Sequence, residues 1–283
     1  MKIIADCGAT KSQWRVLYDD GSVKELTAGG INASTMSATA IAEIISEISD
    51  KISAADNPAA EIYLYMAGLA SDELQSAILS IFSSTLRVSC LEIHSDLLAA
   101  ARAGCGHAPG IAAILGTGSN SCEYDGCSIV RRVSSGGFIL GDEGSAATLG
   151  KLFLSDFIKG LIPEEIATDF VSRFTSDYAG IVANVYGRES SPSGYLGSLA
   201  PFIMEHYGHP YIKNLVEGNF RSFIRRSIKQ YDTGRLAVSV IGSFGYALQE
   251  IFTRIASEEG ITVSRFIKAP IDALVEFHIQ DAG

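Results

Sequence analysis

Apolar positions along this chain first alternate with polar ones, then recur every three to four residues, and the whole order occurs twice. Residues 2–6 form a short apolar run and residues 12–18 (SQWRVLY) a second, both at strand spacing, and Asp20-Gly21 supplies a hairpin turn into a third strand at 22–27. Ile41, Ile44, Ile45, Ile48 and Ile52 then fall on one helical face, with Ser34 and Thr35 upstream as caps. A strand at 61–66, a helix at 72–82, a strand at 88–94 and a helix at 97–103 follow, giving the order β-β-β-α-β-α-β-α.

From Gly110 the order restarts. Strand 111–115 leads through a glycine-rich loop to strand 119–124, and an Asp125-Gly126 turn leads to strand 128–133. A helix at 144–158, a strand at 236–241, a helix at 245–257, a strand at 262–267 and a helix at 270–279 complete the second copy, with a helical insertion over about 160–235. The pattern therefore predicts an α/β protein of two duplicated domains, 1–106 and 107–269, with the terminal helix at 270–283 free to pack back on the first. Duplication places two similar loops at the same corner of two similar domains and predicts a cleft between them.

Charge and composition narrow the chemistry. Over 283 residues, 22 basic and 32 acidic side chains leave a formal charge of -10, a field that repels polyanions and argues against nucleic acid as a partner. No stretch approaches the roughly 20 apolar residues that span a bilayer, and the opening run is too short for a signal peptide. The five cysteines, Cys7, Cys90, Cys105, Cys122 and Cys127, include no C-x-x-C pair. The expected compartment is the cytoplasm, with no membrane partner. Cys122 and Cys127 read as strand residues, and Gly208 and Pro210 break the helix that would align His206 with His209 on a metal.

Two loops carry the candidate chemistry. Neither G-x-x-x-x-G-K-[ST] nor G-x-G-x-x-G occurs in the right context, so a different phosphate device is needed. In Asp6-Cys7-Gly8-Ala9-Thr10-Lys11 a carboxylate ends the first strand, small residues form the turn, and a hydroxyl and an ammonium open the second strand. Gly8 lets backbone N–H groups approach a phosphate, Thr10 and Lys11 contact its oxygens, and Asp6 holds Mg²⁺ through water. Gly116, Thr117, Gly118 and Ser119 offer the matching loop of the second domain.

These loops resemble the signatures of the sugar kinase, Hsp70 and actin superfamily of ATPases, and more closely those of the BadF/BadG/BcrA/BcrD-type ATPase family, which includes N-acetylglucosamine kinase. The supporting blocks are GGIN (Gly29 to Asn32), HSD (His94 to Asp96), ILGTGSNS (Ile114 to Ser121), LGDEGSA (Leu140 to Ala146) and VIGSFG (Val240 to Gly245), in family order across nearly the whole chain. The resemblance implies two ribonuclease H-like, actin-like ATPase domains, ATP and Mg²⁺ as cofactors, and transfer of phosphate to a small sugar, N-acetylglucosamine or a related amino sugar.

The same resemblance assigns roles. Asp96 becomes the catalytic base and a sugar ligand, where an aspartate between strand and helix otherwise reads as a helix N-cap. Asn32, Asn120 and Asp142 become sugar ligands, and Gly242 and Ser243 the adenosine loop. Two departures stand out: Gly136 occupies the position where amino-sugar kinases often carry Trp, and a lysine often found after the adenosine loop is replaced near Tyr246. Two other functions stay open, an ATPase that activates a dehydratase or reductase and a sugar-sensing regulator. A homodimer is also compatible with the sequence.

Overall fold

The computed structural model describes residues 1–8, 11–33, 36–52, 59–67, 71–174, 177–187 and 191–280. The chain divides into two compact units, Met1–His107 with Pro270–Gly283, and Ala108–Ala269.

Unit one runs β1 (Lys2–Cys7), β2 (Lys11–Leu17), β3 (Val23–Gly29), α1 (Ala38–Ile52), β4 (Ala59–Met66), α2 (Asp72–Thr85), β5 (Arg87–Ser95) and α3 (Asp96–Cys105). Its sheet has the order β3-β2-β1-β4-β5, antiparallel across β1–β3 and parallel across β1, β4 and β5. Strand alternation decides which face each side chain occupies. Ile3, Ala5 and Cys7 pair in register with Ile62, Leu64 and Met66, and all six join Ile41, Ile45, Ile48, Ile78 and Phe82 of α1 and α2 in one core. The intervening residues of β1, among them Asp6, therefore look to the opposite face. That face carries α3.

Unit two repeats the plan with β6 (Gly110–Leu115), β7 (Ser119–Tyr124), β8 (Ile129–Val133), a one-turn helix α4 (Gly137–Leu140) and α5 (Ala146–Ile158). The insertion is helical: α6 (Glu164–Arg173), α7 (Tyr178–Tyr186), α8 (Pro192–Ser198), α9 (Ala200–Glu205) and α10 (Pro210–Arg226). The unit then closes with β9 (Val238–Ile241), α11 (Ser243–Ala247), α12 (Gln249–Glu258) and β10 (Val263–Ile267). Its sheet order, β10-β9-β6-β7-β8, is the order of the first sheet with each strand replaced by its duplicate. Ile111, Ala113 and Leu115 share a core with Phe153, Phe170, Phe202 and Phe220, so the insertion is packed into the unit's own core.

Several elements differ from the sequence expectation for identifiable reasons. Gly144 has φ +81 and lies in a loop, and the helix expected from residue 144 begins at Ala146, where the Ser145 side chain caps it by accepting from Thr148 N–H at 3.1 Å. The helix expected at 245–257 is two, parted at Leu248. The helix α13 (Ile271–Gln280) packs on β1, β2 and α3 of the first unit, the placement the sequence left open for the terminal helix. There Arg15 pairs with Asp272 at 2.9 Å, Lys2 donates to the His278 carbonyl at 2.8 Å, and Tyr65 shares a 2.8 Å hydrogen bond with His278 Nε2. Burial, with Arg102 and Lys2 nearby, pushes the His278 imidazole down to about 3, so it sits there neutral. Ser34 and Thr35, expected as caps of α1, lie outside the described residues; Ser37 Oγ accepts from Ala40 N–H at 3.2 Å.

The crossing of α5 and α8 is close enough to test. A Cβ on Gly150 would stand 2.0 Å from the Leu196 carbonyl oxygen. In an exposed helix Gly→Ala gains about 1 kcal/mol. Here Gly150→Ala is expected to lose about 1–3 kcal/mol through overpacking, read by chemical denaturation; a stabilised variant would contradict this crossing.

Candidate functional site

In unit one the candidate residues gather at the carboxyl ends of β1 and β5. Asp6 pairs in register with Tyr65 of β4, and Tyr65 with His94 of β5, so Asp6 and the segment leading to Asp96 are two strand spacings apart, about 10 Å between backbones. Their side chains approach closely enough to interact. The Asp6 carboxyl is pushed up to about 6, by burial first and by repulsion from Asp96 second. Asp96 is half-buried and opens α3. The cap of that helix is Ser95, whose side chain accepts from Leu98 N–H at 3.2 Å, so the N-cap role weighed for Asp96 belongs to its neighbour.

The first loop is anchored at both ends. Gly8 N–H donates to the Lys11 carbonyl at 3.1 Å, and the Gly8 carbonyl accepts from Ile31 N–H at 3.0 Å. That second bond ties the GGIN segment to the loop. Asn32 forms an isolated parallel bridge with Ala67, just past the end of β4, and Ala33 N–H donates to the Ala67 carbonyl at 2.9 Å. Asp6, Gly8, Asn32 and Asp96 therefore lie at one end of one sheet, with Lys11 exposed at the start of β2. Thr10 lies outside the described residues.

The second loop is held by a helix. Ala146 N–H donates to the Gly116 carbonyl at 3.0 Å and Ala147 N–H to the Thr117 carbonyl at 3.1 Å. With Thr148 N–H on Ser145, the first turn of α5 spends its unpaired donors on this loop and its own cap. The geometry has a direct result. A trans peptide points its N–H opposite to its C=O, so turning the carbonyls of Gly116 and Thr117 toward α5 turns the N–H groups of Thr117 and Gly118 away from it, side by side. Neighbouring N–H groups directed the same way form an anion-binding concavity.

Asp142 braces this loop from behind. Its φ of +53 is the one positive value among the non-glycine residues described, and its carboxylate accepts from Ser119 N–H and from the Ser135 side chain. Burial pushes the Asp142 carboxyl up, and the Ser119 bond pulls it back down. A Cβ on Gly118 would meet Asp142 Oδ2 at 2.9 Å, so a larger residue there would displace the carboxylate that lies against the backbone. Asn120 is half-buried on β7 and accepts from Ser121 N–H at 3.0 Å. Glu143 pairs with Arg226 at 2.7 Å.

One residue here was missed from sequence. Asn219 of α10, buried among Val216, Phe220 and Phe223, accepts from Gly144 N–H at 2.8 Å and donates to the Ser145 carbonyl at 3.0 Å. The signal was an amide on an otherwise apolar helical stripe, which needs partners when buried.

Gly242 abuts the same loop. With φ +122, its missing Cβ would lie 2.5 Å from the Leu115 carbonyl oxygen and 3.3 Å from Gly116 N, so β9 and α11 close directly against the end of β6. Beside Gly116 and Ser243 opens a cavity of about 410 Å³, walled also by Ala200 and Met204 of α9 and by Phe244. A larger cavity of about 490 Å³, between α2 and β5, touches none of the residues above.

Asp6 gives a pH test. A carboxyl whose folded value lies near 6 rather than 3.8 favours the folded state below about pH 4, and that contribution is lost as pH rises through 6. Asp6→Asn should therefore stabilise the ligand-free protein by about 3 kcal/mol above pH 6, with the gain vanishing below about pH 4. Denaturation at pH 4 and pH 7.5 reads the difference; an equal effect at both would contradict the shift.

No family model matches the chain, and no curated protein sequence does. Solved structures do. The chain is similar over 100% of its length, and 100% of the other chain, to a candidate N-acetylglucosamine kinase from Porphyromonas gingivalis, at 32% identity and a TM-score of 0.88. A candidate N-acetylglucosamine kinase from Chromobacterium violaceum matches at 19% identity and a TM-score of 0.73 over 98% of each chain. The ethanolamine utilization protein EutJ from Carboxydothermus hydrogenoformans matches at 16% and 0.51, over 96% of this chain and 86% of its own. The last two show the fold alone, an α/β architecture. With 32% identity along both full lengths, the protein belongs to the family of the Porphyromonas gingivalis candidate N-acetylglucosamine kinase.

Proposed function

We propose that this chain is a kinase that transfers the γ-phosphoryl group of ATP to a hydroxyl of a small amino sugar, N-acetylglucosamine or a close relative, with Asp96 as general base. The observation that carries the reading is Asp96 itself. It is a carboxylate at the mouth of the sheet, relieved of helix capping by Ser95, in a chain 32% identical to a candidate N-acetylglucosamine kinase.

The chemistry asks little of the protein beyond position and charge. Phosphoryl transfer passes through a loose transition state, so catalysis rests on aligning the nucleophile and neutralising charge. Asp96, in the first turn of α3, is stabilised as an anion by the helix dipole. It takes the proton of the sugar hydroxyl while the hydroxyl oxygen bonds to the γ-phosphorus and the bond to the β-phosphate oxygen breaks, releasing ADP. Asn32, with an amide that both donates and accepts, orients sugar hydroxyls from the same sheet end.

The phosphates fit what the residues offer. Each unit by itself offers groups suited to phosphate: in unit two the N–H groups of Thr117 and Gly118 turn away from α5, and in unit one Lys11 is an exposed ammonium. The Asp6 carboxyl, pushed up by burial and by Asp96, fits a place where a cation is taken up. A magnesium ion held there through water would supply charge neutralisation for the phosphates. Asp142 is placed to orient substrate only through the oxygen lone pairs that Ser119 and Ser135 leave open.

Incubation with MgATP and a panel of amino sugars, followed by ADP and sugar-phosphate detection, tests the proposal. Turnover dependent on N-acetylglucosamine or a relative is expected, and none with any acceptor would sink it. Asp96→Asn should lower kcat by roughly 10²–10⁴-fold while ATP affinity stays within a few-fold. Unchanged turnover in that variant would remove Asp96 from the base role.

A further inference from the structure

The cavity beside Gly116 and Ser243 carries a second conclusion, which rests on the kinase reading. Its volume, about 410 Å³, falls in the roughly 300–1,000 Å³ range of small-molecule sites, and Gly116 and Thr117 of the second loop line it. A nucleotide anchored there has its nucleoside in this cavity.

The lining is one-sided in its chemistry. Only Thr117 and Ser243 contribute side-chain hydroxyls among the described residues, and both belong to the phosphate end. Thr117 is in the loop, and Ser243 follows Gly242, whose Cβ position lies 3.3 Å from Gly116 N. The Thr117 methyl faces α8, 3.4 Å from the Cβ position of Gly197. Farther in, Ala200, Pro201 and Met204 of α9 and Leu248 present carbon or thioether surface. No side-chain amide, carboxylate, guanidinium or imidazole lines the cavity among the described residues. The apolar wall comes from the helical insertion, a segment the first unit lacks.

We infer that this cavity selects nucleobases by shape and apolar contact alone, so that the chain uses GTP and ITP as phosphoryl donors alongside ATP. A site built to hydrogen-bond a substrate group rejects its analogue by about 10⁴–10⁵-fold, whereas an apolar pocket separates near-isosteric ligands by only about 10–200-fold. Adenine, guanine and hypoxanthine share one bicyclic shape and differ at their polar edges, which no charged or amide side chain of this lining reads. Pyrimidines bury less area and bind more weakly for that reason.

The test uses the full chain with the magnesium salts of ATP, GTP, ITP and CTP, measured twice: by displacement of a fluorescent ATP analogue, and by kcat/KM with a saturating amino sugar. GTP and ITP are expected within about 200-fold of ATP in both readouts, with CTP lower. A preference for ATP above about 10³-fold over GTP and ITP, in a protein that does bind ATP, overturns this inference and leaves the kinase reading intact. Failure of every nucleotide, ATP included, to displace the analogue overturns both. Ala200→Phe, which fills the cavity, should weaken ATP and GTP alike by tenfold or more. A variant folded by circular dichroism with unchanged affinity for both shows the base lies elsewhere and overturns the placement; if it does not fold, the panel on the unaltered chain decides.

Discussion

Two hydrogen bonds from the first turn of α5 to the carbonyls of Gly116 and Thr117 set the character of the second unit's loop. A helix N-terminus is often itself an anion site, because its first N–H groups lack partners. Here those groups hold the loop. Peptide planarity then passes the donor function one layer outward, to Thr117 and Gly118. Neighbouring features follow from keeping that arrangement rigid: Asp142 against Gly118, Asn219 clamping Gly144 and Ser145, and Gly242 pressed onto the end of β6.

This constraint also explains the concentration of glycine in LGDEGSA and VIGSFG. Gly144 has φ +81, and its Cβ would lie 2.7 Å from Phe223 Cβ; Gly242 could not carry a side chain without displacing the Leu115 carbonyl. Gly242 marks backbone packed against backbone and Gly144 backbone packed against the Phe223 ring and Leu115, and both hold the loop closely. In unit one the described bonds at the first loop run instead from Gly8 to the Lys11 carbonyl and from Ile31 to the Gly8 carbonyl. The duplication is exact in strand order.

Much of the fold was legible because period-two and period-3.6 patterns are strong where one face is buried. Ile3 and Ala5 against Ile41, Ile45 and Ile48 is such a case. The duplicated order of strands and helices along the chain and the helical insertion follow from those patterns, whereas the order of strands within each sheet does not. Helix boundaries were less legible, since Gly144 and Leu248 interrupt helical runs for reasons of tertiary contact that spacing does not record. The destination of α13 depended on Arg15, Lys2 and Tyr65 meeting Asp272 and His278, more than 200 residues away in sequence. Among candidate site residues, the loops announced themselves by motif. Asn219 did not, because its partners are backbone groups in a distant loop.

The central claim is that the N–H groups of Thr117 and Gly118 receive a phosphate. Backbone ¹⁵N–¹H correlation spectra of the protein titrated with MgATP test it most directly. The account predicts that these two amides show the large downfield proton shifts of N–H groups bonded to an anion, with Ala146 and Ala147, already bonded to the loop carbonyls, moving little. Saturation with MgATP that leaves Thr117 and Gly118 unshifted, or that shifts Ala146 and Ala147 instead, would contradict it.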